Sequence, residues 1–184
     1  VAVIEMGISD FGEMHRLSYM VKPDICVMTN IGLCHLENLG SRDGILKAKS
    51  EIFDYAKEDC TVILNGDDDK LSTITEVHGK KPLYFSLEKN TDVYADNIET
   101  HGVYGTSAII TLTDKSTIDV HFQLPGKHMV YNACAAVAVG SVLHMTPDHI
   151  KAGIENIKSV GGRLNIIETG TYTVIDDCYN ANPV

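Results

Sequence analysis

The sequence predicts an α/β fold: a mostly parallel, doubly wound sheet flanked by helices, with a small antiparallel β unit. Three observations predict it. Short runs of continuous apolarity, such as "VAVIEMG" and "CTVILNGDD", read as strands covered on both faces. These runs alternate with helical patterns, the arrangement that builds a parallel sheet. From about residue 92 to 124 the pattern changes to alternating residues broken by turn signals, with no helical stripe.

In chain order, "VAVIEMG" is the first strand. A second lies within "SYMVKPDICVMTNIG", at 25–29, after a Pro-Asp turn. A helix follows over 42–56, with Ser41 as its N-cap. "CTVILNGDD" gives a third strand ending in a polar turn, and "KPLYFSL" a fourth. The stretch 92–124 supplies two or three antiparallel strands. "PGKHMVYNACAAVAVGSVLHM" then carries an Ala-rich helix over 129–143. "TPDHIKAGIENI" carries another, with Thr146 as N-cap and Pro147 at the first position. "YTVIDDCYNANP" closes as a strand running into a polar turn. Sheets of this kind collect ligands at the carboxyl ends of their strands, which here carry Glu5, Asn30 and Asn65.

The 184 residues suit one sizeable domain, and 44% hydrophobic with 22% charged residues is an ordinary globular composition. A net charge of −10 and a pI of about 5.1 argue against nonspecific nucleic-acid binding, which needs a basic face. No apolar run is long enough to span a bilayer. The chain opens on a strand-like segment with neither an initiator Met nor a charged lead-in, and it stops on the turn-like "YNANPV". A piece of a longer protein is therefore expected. Five scattered cysteines (Cys26, Cys34, Cys60, Cys134, Cys178), with no C-x-x-C pair, read as core or incidental thiols of a cytoplasmic protein.

Lys49 stands out. On a helix over 42–56, Ile45, Ile52, Phe53 and Ala56 share one face, and Lys49 falls inside that arc. One reading has its stem packed and its ammonium in water. The other has the amine desolvated, which lowers its pKa and leaves it neutral and nucleophilic. Such an amine adds carbon dioxide to give a carbamate, an anion able to coordinate a metal. His35, just past a strand end, is placed to join it.

Six segments carry a family resemblance: "EMGISDFGEM", "TNIGLCHLENLGSRDGILKAKSEIF", "ILNGDDD", "LPGKHMVYNACAAVAVG", "GGRL" and "IDDCYNANP". Together they resemble, in order and over nearly the whole chain, the central domain of the Mur ligases. "SRDGILKAKSEIF" and "DDCYNANP" are more similar to the D-alanyl-D-alanine-adding branch than to its siblings. The resemblance implies an ATP-dependent amide ligase of peptidoglycan synthesis, cytoplasmic, joining D-Ala-D-Ala to UDP-MurNAc-tripeptide through an acyl phosphate. Implied cofactors are ATP and Mg2+, a hard cation that takes oxygen ligands and neutralises phosphate charge. Glu5 and His35 match the family's metal residues, and Lys49 its carbamylated lysine. Asn132 matches the asparagine that reads adenine, and Arg163 and Asp177 match contacts to phosphate or ribose. Asn180 and Asn182 fall on the substrate side.

The sequence departs from the family in one respect: a G-x-x-G-K-[ST] phosphate loop does not occur, since Gly126-Lys127 is followed by His128. The expectation is thus a partial central domain over 1–184, without the UDP-binding N-terminal and the C-terminal domains. We expect it to be inactive alone and prone to self-association at the sheet edge, although the full enzyme is monomeric. Two alternatives stay open. One is a sibling Mur or folylpolyglutamate-type ligase, and the other a non-catalytic domain that lost its phosphate loop.

Overall fold

In the computed structural model, which describes residues 1–88 and 91–179, the chain divides into a first unit running to Tyr84 and a second from Phe85. Six strands follow one another in sequence order in one sheet, and the last two form a separate two-stranded sheet.

In the first unit, helix α1 (Glu13–Val21) leads into β1 (Ile25–Met28). Helices α2 (Leu36–Leu39) and α3 (Arg42–Ser50) come next, and then β2 (Thr61–Asn65). β1 and β2 pair in parallel, with Ile25 opposite Thr61 and Met28 opposite Leu64. Their core face buries Cys26, Met28, Val62 and Leu64 beneath Ile45, Ala48, Ile52 and Phe53. Ile45, Ile52 and Phe53 of the expected stripe are thus buried together, but the helix ends sooner than expected, so only Ile45 of them lies on it. At Ser50 the backbone tightens into a 3-10 turn over Glu51–Phe53. The turn frees Glu51 to cap α1, its carboxylate accepting from Gly12 N (3.0 and 2.9 Å) and His15 N (3.2 Å).

Two expectations fail in this unit. The segment 1–7 is not a strand: Val1 and Val3 are almost fully exposed and Ile4 is 54% exposed. Among the described residues it has no strand partner, and an apolar run without a ladder or a covering layer does not hold the extended form. Glu5 consequently sits exposed on irregular backbone and not at the end of a buried strand. Second, α1 was not foreseen, its short apolar stripe (Met14, Leu17, Val21) being interrupted by Ser18. It buries Met14 and Ser18, whose hydroxyl donates to Ile52 O at 2.7 Å.

α3 begins where expected, with Ser41 Oγ accepting from Gly44 N at 3.1 Å. Gly44 lies tight against the end of α2. A methyl group there would stand 1.9 Å from the Leu39 carbonyl oxygen. Gly44→Ala is therefore expected to destabilise the chain by about 1–3 kcal/mol, despite alanine's better helix propensity, by pushing α2 away. Urea melts that show a gain in stability would contradict this.

β3 (Leu83–Ser86) crosses from the first unit to the second and pairs in parallel with β4 (Val93–Thr100). β5 (Thr106–Thr111) and β6 (Thr117–Phe122) continue antiparallel, with Ser107 opposite His121 and Ile110 opposite Ile118. The antiparallel strands expected at 92–124 are thus β4, β5 and β6, joined to β3 through the parallel pairing of β4. Their buried side chains (Val93, Ala95, Ala108, Ile110, Ile118, Val120, Phe122) give β4 to β6 a continuous apolar face. α4 (Lys127–Val142) packs on β4 and β5, and α5 (Pro147–Glu155) on β6. Thr146 caps α5 as expected, accepting from His149 N at 3.3 Å. β7 (Asn165–Glu168) and β8 (Thr173–Asp176) form the closing hairpin. All five cysteines are free thiols. Cys26, Cys60 and Cys134 are buried, and Cys34 and Cys178 are exposed.

Candidate active site

In the first unit, the loop after β1 and the helix α3 enclose a cavity of about 50 Å³. Asn30, Cys34, His35 and Lys49 line it together with apolar Ile8 and Ile45. Two of the three residues expected at a metal centre, His35 and Lys49, are therefore neighbours. Two of the three expected strand-end residues also meet, because Asn65 Nδ2 donates to Thr29 O, next to Asn30, at 3.0 Å. Glu5 does not join the group lining the cavity.

Lys49 is half-buried, and its Nζ donates to the Asn30 carbonyl at 2.9 Å. Burial lowers its pKa, while Cys34 and Asp68 pull it back up. The side chain is thus neither fully in water nor paired with a carboxylate. His35 is exposed, takes a left-handed backbone (φ 59°) and starts α2. That conformation is unusual for a residue other than glycine, and it marks a tight turn into the site.

What holds this loop is a network the sequence reading does not single out. Asp68, whose side chain is 7% exposed, accepts from Ile31 N at 2.8 Å with one oxygen. Its other oxygen accepts from Lys70 N and Leu71 N, both at 2.9 Å. Arg42 Nε donates to Ile31 O at 3.0 Å, and its guanidinium forks onto Asp69 at 3.0 and 2.5 Å. Ile31 is thereby fixed through both its N–H and its carbonyl, and this sets where the Asn30 carbonyl meets Lys49. The available signal was an Asp after a strand-ending Asn-Gly, a residue type that turns its carboxylate onto backbone two or three positions ahead. Asp68→Ala strands three N–H groups and is expected to lower stability by about 3 kcal/mol. An unchanged urea midpoint would refute that role.

The residues expected on the nucleotide side lie in the second unit. Arg163 stands with its guanidinium 4.2 Å over the Tyr179 ring. Asp177 accepts from Leu164 N at 3.2 Å, so Arg163 and Asp177 are brought together at the base of the β7–β8 hairpin. Asn132 is exposed on α4, with its amide nitrogen 3.5 Å from the Met129 sulfur. Its side-chain amide carries both a donor and an acceptor, the combination an adenine edge requires. Asn180 and Asn182 lie outside the described residues.

The donor set for a metal is incomplete. Among the described residues no three His, Cys, Asp or Glu side chains gather into a group able to hold an ion, and Glu5 stays apart. The first unit as arranged does not fit the expected magnesium centre. Among the described residues, no helix is long and apolar enough to cross a membrane.

The Mur ligase middle domain family matches residues 1–140. A UDP-N-acetylmuramoyl-tripeptide–D-alanyl-D-alanine ligase of Bacillus subtilis is 36% identical over the whole chain, and that of Escherichia coli 37% over 98% of it. The chain spans 39% and 40% of their lengths. Among solved structures, MurF from Acinetobacter baumannii superposes with a TM-score of 0.90 at 34% identity, over 98% of this chain and 39% of that one. MurF from Thermotoga maritima in complex with ADP superposes with a TM-score of 0.82 at 28% identity, over 95% of this chain and 40% of that one. The chain belongs to the Mur ligase family, within its middle domain.

Proposed function

We propose that this chain is the partial nucleotide-binding middle domain of a cytoplasmic ligase of peptidoglycan synthesis. The whole enzyme uses ATP to join D-Ala-D-Ala to UDP-MurNAc-tripeptide. The carrying observation is the cavity that joins Lys49 and His35, in a chain 36–37% identical along its length to D-Ala-D-Ala-adding ligases. In this reading the tripeptide carboxylate takes the γ-phosphoryl group, the free amine of D-Ala-D-Ala attacks the acyl phosphate, and phosphate leaves as the amide forms. Asn132 holds the adenine, and Arg163 and Asp177 the phosphate or ribose. A lysine carbamate at residue 49 places an anion in the cavity in exchange for a poorly solvated cation. Mg2+ is the ion expected with ATP, supplying charge neutralisation at the phosphates when bound. Asn180 and Asn182 serve the substrate side.

The test is phosphate release by a full-length protein containing this sequence. Release is expected only when UDP-MurNAc-tripeptide and D-Ala-D-Ala are both present, and not when a single amino acid or glutamate replaces the dipeptide. Release with a single amino acid would favour the sibling or folylpolyglutamate-type reading, and release with no acceptor would refute the ligase. The 184 residues alone are expected to release none, since they contain no G-x-x-G-K-[ST] loop to hold the phosphates.

A further inference from the structure

Away from the cavity, on the exposed face of β5 and β6, two histidines converge on one hydroxyl. His101 Nε2 lies 2.8 Å from Ser107 Oγ, and His121 Nδ1 lies 3.0 Å from the same oxygen. The two rings are 5.5 Å apart between centroids and tilted by 48°. The backbone dictates this convergence. Ser107 and His121 are direct partners across the β5–β6 pair, so their side chains share a face. His101 follows β4 and enters the 3-10 turn Gly102–Tyr104, its N–H donating to Gly105 O at 2.9 Å, which returns its ring over Ser107. Glu99 is the β4 partner of Ser107 and occupies the same row. The Glu155 carboxylate accepts from His121 N at 3.3 Å.

A serine hydroxyl has one proton. It donates to one ring nitrogen and accepts from the other, so the two imidazoles sit as complementary tautomers. Both rings are exposed and can exchange tautomers, and then two nitrogen lone pairs face one point. We infer that His101 and His121 form a two-imidazole binding site for a divalent transition-metal ion, with water completing the shell. The ion class follows from the donors: imidazole suits Zn2+, Ni2+ and Cu2+, and not Mg2+ or Ca2+. If Ser107 turns its hydroxyl aside, bonds of about 2.0–2.1 Å require each ring to move inward by roughly an ångström or less. The carboxylates of Glu99 and Glu155, and the chain's overall negative charge, favour a cation here. A bound ion would staple the turn after β4 to β6.

The test is a Zn2+ titration of the 184-residue chain, followed through the imidazole nitrogen resonances. His101 and His121 are expected to shift together, with Mg2+ causing no shift. His101→Gln or His121→Gln should weaken that binding about tenfold or more, since each removes one of two protein ligands. Ser107→Ala, which removes only the intervening hydroxyl, should retain it. Both glutamine variants alter exposed side chains, and their circular dichroism should match that of the parent. If Zn2+ moves neither histidine or only one, or if either glutamine variant binds as tightly as the parent, the site is refuted.

Discussion

Lys49→Gln is expected to erase a carbon-13 carbamate resonance that the chain develops in labelled bicarbonate. The expectation rests on the position of the amine. It is half-buried on α3, hydrogen-bonded to the Asn30 carbonyl, and held by burial at a lowered pKa. Carbamate formation requires the neutral amine, so a lowered pKa makes Lys49 reactive at a pH where ordinary lysines, near 10.4, remain protonated. Lys57 is the internal contrast, because its pairing with Asp24 raises its pKa and keeps it charged. The sign for stability follows from the same facts. Burial disfavours the charged form, so the native amine loses its proton before the unfolded one does. The penalty is present in full below the native pKa and is relieved as pH rises from there towards about 10.4. The resonance should therefore grow with pH and level off earlier than for any surface lysine. In the full-length enzyme the same substitution should lower kcat on the order of 10²–10³-fold. A resonance that survives in Lys49→Gln, or none at any pH, would end the claim that this domain prepares the lysine by itself.

Much of this was legible because the relevant signals are local. Val62 to Leu64 and Cys26 to Met28 are short apolar runs bounded by turns, and they became β2 and β1. The Thr146-Pro147 start of α5 is a cap whose side-chain hydrogen bond needs only its own turn. Lys49 was legible because it falls within an apolar arc at 100° per residue, where its stem must pack against the stripe whatever its head does. What escaped was whatever depends on partners distant in sequence. The run at 1–7 has strand composition but no pairing neighbour among the described residues, so Glu5 is left in solvent. α1 is held by a carboxylate 39 residues away, Glu51 on Gly12. Asp68 positions the site by reaching back 37 residues to Ile31 N, which no window over "ILNGDDD" could show. The antiparallel strands had the expected period, but only their pairing in the structure shows that β4 joins them to β3.

Leu64→Ala is expected to be the most damaging single change in the first unit, lowering stability by about 2–5 kcal/mol. Leu64 is fully buried on β2, opposite Met28 of β1, in the cluster that seats Ile45, Ala48 and Phe53. Removing its side chain leaves a cavity between the sheet and the helix that carries Lys49. Relaxation of α3 into that space would recover part of the loss, but it would also draw Nζ away from the Asn30 carbonyl. The change should therefore appear twice, as a fall in Tm of roughly 5–20 °C and as a weaker carbamate resonance at fixed pH. Ile63→Val separates the two effects. Ile63 is as deeply buried but is its strand neighbour, pointing to the opposite face, and it lies outside the cluster beneath α3. It should cost only about 0.5–1.5 kcal/mol and leave the resonance intact. Equal losses of resonance in both variants would mean that global stability, and not the seating of α3, controls the lysine.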